Sequence, residues 1–237
     1  MKRYVIIAVA ALLSLTACTI DSGYRPDQNQ AYYLIHSQFN THLDEAKTYA
    51  NYAIVAQTLL GGSATDFAYV KSALLGGREA VAEQGRVVFS YNNKNYCIIT
   101  TGDKMLSEGG QWTLEQVASD GQLSLVASFT GVEGKSREFN CVYMGRRGLS
   151  LTTTHKYIVS PAPSRAVYVD MWGSGQVVAA DEYTIDFTIS SDNPLRYDDY
   201  YMWGYISGEI AVLYKDLVEG STRDFSVVYD NQKREYK

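Results

Sequence analysis

The sequence predicts an α+β protein. An N-terminal helical segment is followed by two tandem, internally duplicated antiparallel β units forming a sandwich or barrel. Three observations predict it. Apolar residues recur at helical spacing between about residues 30 and 76, the period falls to two from Arg86 onward, and one twelve-residue stretch occurs twice.

The helical part comes first. Tyr32, Ile35, Phe39, Leu43, Ala46, Ala50, Ala53 and Leu60 recur at three- and four-residue steps, so they form one apolar stripe that reads as a packing face. Thr41-His42-Leu43-Asp44 has the order of a capping box, so the stripe is expected to break into two helices near Asn40. Gly61-Gly62 ends it. Ser63-Ala64-Thr65-Asp66 then starts a further helix, with Phe67, Val70 and Leu74 on one side, before Gly76-Gly77.

Strands follow. The first unit holds RVVFSYN (86–92), NYCIITT (95–101), QWTLEQV (111–117), QLSLVASF (122–129), REFNCVY (137–143) and LSLTTTHKYIV (149–159), with the asparagines between the first two as a hairpin signal. Ser160-Pro161-Ala162-Pro163-Ser164 marks the boundary between modules, because proline cannot donate to a sheet ladder. The second unit holds RAVYVDM (165–171), QVVAA (176–180), YTIDFTI (183–189), YYMWGYI (200–206), EIAVLY (209–214) and RDFSVVY (223–229). The units therefore run over 86–159 and 165–237. Each is marginal alone at this size, so they are expected to share a core, with the helical segment (31–77) against one side or end.

Residues 132–143 read VEGKSREFNCVY and residues 218–229 read VEGSTRDFSVVY, with seven of twelve positions identical at an offset of 86. YCIITTGD (96–103) lies over YTIDFTIS (183–190) at 87, and GQLSLVASF lies loosely over GEIAVLYKD at the same offset. Order and spacing agree across three segments, which predicts duplication. Gly134 and Gly220 would turn the chain. Phe139, Tyr143, Phe225 and Tyr229 would face the core, and Arg137 and Arg223 would be solvated.

The first residues carry the strongest functional signal. Lys2 and Arg3 precede the apolar run VIIAVAALL (5–13), which is too short to span a bilayer and fits the apolar region of a signal peptide. Leu15-Thr16-Ala17-Cys18 follows and resembles the lipobox of bacterial lipoproteins. The resemblance covers the first eighteen residues only. It implies cleavage after residue 17, acylation of Cys18, and attachment to a membrane through the acyl chains. Residues 18–30 then read as a polar tether. Thr19, rather than Asp, after the cysteine leans towards the outer membrane of a Gram-negative bacterium. Whether the domain faces the periplasm or the surface stays open.

Loss of Lys2 and Arg3 takes the formal charge from −5 to −7, which argues against nucleic acid as a partner and against charge-driven lipid attachment. Cys97 and Cys141 remain. The alternation places Cys141 with Phe139 and Tyr143, and Cys97 on the opposite face, which argues against a disulfide. No catalytic motif appears. His36, His42 and His155 lack partners at metal-ligand spacing, so no metal and no cofactor is expected. The oxygens of Asp192, Asn193, Asp198 and Asp199 match no calcium loop and read as turn chemistry.

The best binding candidate is RYDDYYMWGY (196–205). Tyr197, Tyr200 and Trp203 offer stacking faces beside the carboxylates of Asp198 and Asp199, a combination suited to sugars. The same alternation also describes an ordinary half-buried strand. The expected role is non-catalytic, structural or binding, on a lipid-anchored extracytoplasmic protein. The partner is a glycan or another surface protein. The alternatives are a glycan-binding surface lipoprotein, and a hydrolase with a carboxylate site that matches no motif.

Overall fold

The computed structural model describes residues 28–62, 64–145, 148–160, 166–198, 205–230 and 233–237. The lipobox and the residues before Gln28 lie outside them. The chain divides into two compact units, Met1–Phe39 and Asn40–Lys237. Of the first, the described part is the opening of helix α1 (Gln28–Leu60). The second unit is mostly antiparallel β-sheet, with the helices on its N-terminal side.

Helix α1 runs without a break through Asn40, so the Thr41–Asp44 sequence does not act as a cap. Helix α2 spans Ala64–Leu75 and ends at glycines with positive φ, 55° at Gly76 and 87° at Gly77. Thirteen strands follow among the described residues: β1 (Ala80–Glu83), β2 (Arg86–Tyr91), β3 (Lys94–Thr101), β4 (Gln111–Val117), β5 (Leu123–Gly131), β6 (Glu138–Met144), β7 (Leu149–Val159), β8 (Val167–Ala179), β9 (Tyr183–Ile189), β10 (Leu195–Tyr197), β11 (Ser207–Asp216), β12 (Thr222–Asp230) and β13 (Lys233–Tyr236).

They form one antiparallel meander in chain order. Strands β9 and β10 share one position. Gly173–Ala179 of β8 pairs with β9, Val169–Met171 pairs with β10, and β11 pairs with both. Asn193-Pro194 lies in the interruption, where proline has no N–H to offer a ladder. The module boundary does not divide the sheet, because β7 and β8 pair continuously from Leu149↔Val177 to Val159↔Val167.

Register gives the sheet two unlike faces. One carries Val87, Phe89, Tyr96, Ile98, Trp112, Leu114, Phe129, Phe139, Cys141, Tyr143, Leu151, His155, Met171, Phe187, Leu195, Ile210, Phe225, Val227 and Tyr229, all buried. The other carries polar residues. On it Glu138, Lys156, Asp170 and Arg196 stand directly opposite one another across four strands, alternating in sign. Arg196 donates to both oxygens of Asp170 at 2.7 and 2.9 Å, which pins this register.

The apolar face closes around α1. Tyr52 stacks on Phe89 of β2 with ring centroids 3.6 Å apart, and Lys47 sits 4.9 Å from the Tyr197 ring of β10. In a flat sheet β2 and β10 would be roughly 34 Å apart at the usual strand spacing, whereas a helix with its side chains is about 10–12 Å across. The sheet must therefore curl. The helix shows it too. Tyr49 to Gln57 are all buried, where a helix on a surface would bury only a stripe. Helix α2 covers part of the remaining side, with Asn51 Nδ2 donating to the Leu74 carbonyl at 3.3 Å. Of the stripe read from the sequence, Leu43, Ala46, Ala50 and Ala53 are buried, whereas Tyr32, Ile35 and Phe39 lie outside the residues whose side chains are described. Within the second unit, residues 49–57 of the helix are buried on all sides.

The repeated stretches take the same face and the same turn chemistry. Phe139, Cys141 and Tyr143 are buried in β6, as are Phe225, Val227 and Tyr229 in β12. Gly134 and Gly220 both adopt positive φ, 74° and 67°. Their pairing differs. Phe139 stands opposite Gly131, whereas Phe225 stands opposite Val212, not residue 217 as the offset of 86 would require. Strand β4 separates β3 from β5, but β9 pairs directly with β11.

Candidate functional site

The concave face offers little room for a ligand, because the chain's own helix fills it. Several titratable side chains enclosed there are held in their neutral forms. Burial drives His155 down to about 3, while its Nε2 lies 2.9 Å from the Thr153 hydroxyl and its ring stacks on Phe139. Burial pushes the Cys141 thiol up to about 12. Tyr49 and Tyr143 are raised well above the usual tyrosine range, first by burial and then by their hydrogen bonds. Tyr143 donates to the Glu45 carboxylate, and Tyr49 donates to the Tyr96 hydroxyl at 3.1 Å. A small cleft of about 180 Å³ opens over this cluster, with Lys94 and Gln116 on its rim.

Of the residues the sequence singled out for binding, Tyr197 and Asp198 are described. Tyr197 is 0 % exposed and Asp198 7 %, and Tyr197 lies edge-on to Tyr205 and beneath Lys47. Tyr197 thus packs against the helix at Lys47. Asp199, Tyr200 and Trp203 lie outside the described residues, as does Cys18. Cys97 and Cys141 are both free and buried on opposite faces, as the alternation predicts.

A larger cleft, about 470 Å³, lies on the convex face at the first edge of the sheet. That volume falls in the usual range for small-molecule sites. It is built by local geometry. Gln84 and Gly85, both at positive φ, turn β1 back onto β2. Alternation then points Val81, Glu83, Arg86 and Val88 outward, since their neighbours Ala80, Val87 and Phe89 face the core. Ser90 and Asn95 close one end with a 2.8 Å hydrogen bond, and Val117 of β4 forms the far wall. Arg78, in the connection from α2, reaches over the Tyr91 ring at 5.8 Å and donates to the Leu75 carbonyl.

The electrostatics of this cleft are unbalanced. Glu79 is engaged by Lys71 at 2.6 Å. Neither Arg78 nor Arg86 forms an ion pair among the described residues, although Glu83 is the cross-strand partner of Arg86. The Arg86 Nε is shielded from solvent and has no acceptor. Cys97 lies beneath this guanidinium. Burial raises its thiol against the opposing pull of Arg86. Sequence reading did not find this site, because β1 is four residues long and shows no periodicity. The available signal was Glu83-Gln84-Gly85-Arg86, a turn bracketed by opposite charges.

No protein-family model matches the chain, and comparison with curated proteins and with solved structures finds no significant match.

Proposed function

We propose that this chain is a lipid-anchored protein of the bacterial cell envelope, held through acyl chains on Cys18, with a non-catalytic binding or structural role. One observation carries the non-catalytic reading. Cys141 and His155, the described thiol and imidazole inside the sheet, are held in neutral form by burial, away from both clefts. The concavity holds the chain's own helix, so recognition falls to the convex face and rims. The signal sequence and lipobox support the anchor, and Thr19 favours the outer membrane. The anchor is tested by Cys18→Ala, which should move the protein from the membrane to the soluble fraction. An unchanged distribution sinks the anchor. High salt should leave the wild type in place, since the attachment is covalent.

A glycan remains the alternative partner, through the aromatic stretch around Tyr197, Asp198, Asp199, Tyr200 and Trp203. The burial of Tyr197 leaves that reading to the residues after it. A glycan array probed with the mature chain decides, and no bound glycan removes it. The repeated hairpins, with their shared face and glycine turns, support descent from one duplicated unit. Their unlike registers confine that reading to the hairpin itself. The curl around α1 supports a sheet on the way to a barrel.

A further inference from the structure

We propose that the cleft at the β1–β2 edge binds a small monocarboxylate with an apolar tail. The inference deepens the binding role proposed above and rests on it. Arg86 supplies the recognition. A guanidinium presents a planar fork that meets a carboxylate through two parallel hydrogen bonds. Here it lines the cleft and forms no ion pair among the described residues. A carboxylate entering the cleft would supply that partner. Arg78 adds a second positive charge at the same cleft.

The walls select the rest of the ligand. Val81, Val88 and Val117 line the cleft, and Val81 is 52 % exposed, so an alkyl or aryl tail would cover apolar surface now facing water. Glu83 serves as the internal competitor. It lies across the strand from Arg86 without pairing to it, and it disfavours a dianion such as phosphate more than a monoanion.

The test uses the full chain carrying Cys18→Ala, which removes the proposed acylation site. Hexanoate, acetate, inorganic phosphate and hexylamine are titrated by calorimetry and by methyl NMR. Hexanoate should saturate in the millimolar range and shift the methyls of Val81, Val88 and Val117. Acetate should bind about tenfold or more weaker for want of a tail. Arg86→Gln should lose about tenfold or more, and Arg86→Lys should lose less, keeping charge without the fork. If Arg86→Gln does not fold, Arg86→Lys and the methyl shifts carry the test. Unchanged affinity in the arginine variants, equal binding of acetate, or preference for phosphate or hexylamine would each overturn the proposal. Membrane fractionation of the wild type is scored separately, so failure of the anchor and failure of the cleft are told apart.

Discussion

Hairpins β5–β6 and β11–β12 carry nearly the same twelve residues and are built differently. In the first, Phe139 is 1 % exposed, stacks on His155 at 5.3 Å and meets Phe129 edge-on at 5.9 Å. In the second, Phe225 is 7 % exposed and faces Val212 across the strand pair. The motif fixes the turn and which side chains point inward. The partner strand sets register and depth. Parity protects the face, because a slip of one residue would expose every apolar side chain, whereas moving the partner along its own inward positions keeps both faces apolar.

Removing the two rings is the largest expected break of this comparison. Phe139→Ala should cost about 4 kcal/mol, as for a fully packed aromatic, and Phe225→Ala about 3 kcal/mol, nearer the lower end of the range. Urea denaturation of both variants decides. A larger loss at Phe225 would mean that burial depth does not order the two sites.

Acid should also separate the hairpins, because only β6 has a histidine opposite it. His155 is depressed in the folded state, so below about pH 6.5 the unfolded chain binds a proton that the native chain refuses. Stability therefore falls as pH drops from 6.5 towards 3. The contribution reaches roughly 2–3 kcal/mol by pH 4.5, taking an unfolded value near 6.5. His155→Gln should flatten that slope in denaturation curves measured between pH 7 and 4.5. A slope left intact would place the acid sensitivity in groups other than His155.

Much of the sheet was legible in the sequence because alternation is a local property. The strands read at 111–117, 149–159 and 183–189 have the bounds the structure gives. What failed has physical causes. Two segments read as separate strands, 165–171 and 176–180, are one strand, β8. Gly173 and Gly175 lie between them. A Cβ at Gly175 would lie 2.2 Å from the Phe187 ring, so the absence of a side chain makes room for that aromatic on the neighbouring strand. Strand β10 was missed because three residues carry no period. The enclosure of α1 was out of reach, since curl arises from strands far apart in the chain. Its trace in the sequence was the run from Tyr49 to Ala56, aliphatic and aromatic but for Asn51 and wider than any stripe.

The turns should be the most alike. Gly134 and Gly220 both sit in the left-handed region, and at neither would a Cβ meet anything within 4 Å. Only backbone strain opposes a side chain there. Gly134→Ala and Gly220→Ala should each cost about 1 kcal/mol, equal within error. Thermal melts of the pair measure it, and unequal losses would show that the turns differ after all.

The smallest expected effect divides the two arginines that open the repeated strands. Both are exposed. Arg137 lies 6.0 Å from the Tyr157 ring centroid, and the Tyr157 hydroxyl accepts a 2.7 Å hydrogen bond from Gln57 of the enclosed helix. The guanidinium thus rests on a ring already fixed to α1, so little entropy is lost in holding the contact. Arg223 stands across from Tyr214, on a β11 ring that is itself partly exposed. Water screens both positions, which limits what either charge contributes. Arg137→Ala should cost about 0.5 kcal/mol, the low end for an exposed cation over a ring, and Arg223→Ala less than about 0.3 kcal/mol. Arg137→Lys should recover part of the loss, since a lysine can reach the same face. Denaturation in low and high salt resolves the pair, because a contact with a ring depends weakly on salt whereas a long-range charge effect fades. If Arg223→Ala proved the more costly, the motif's arginines would be set by the shared turn rather than by the strand each faces.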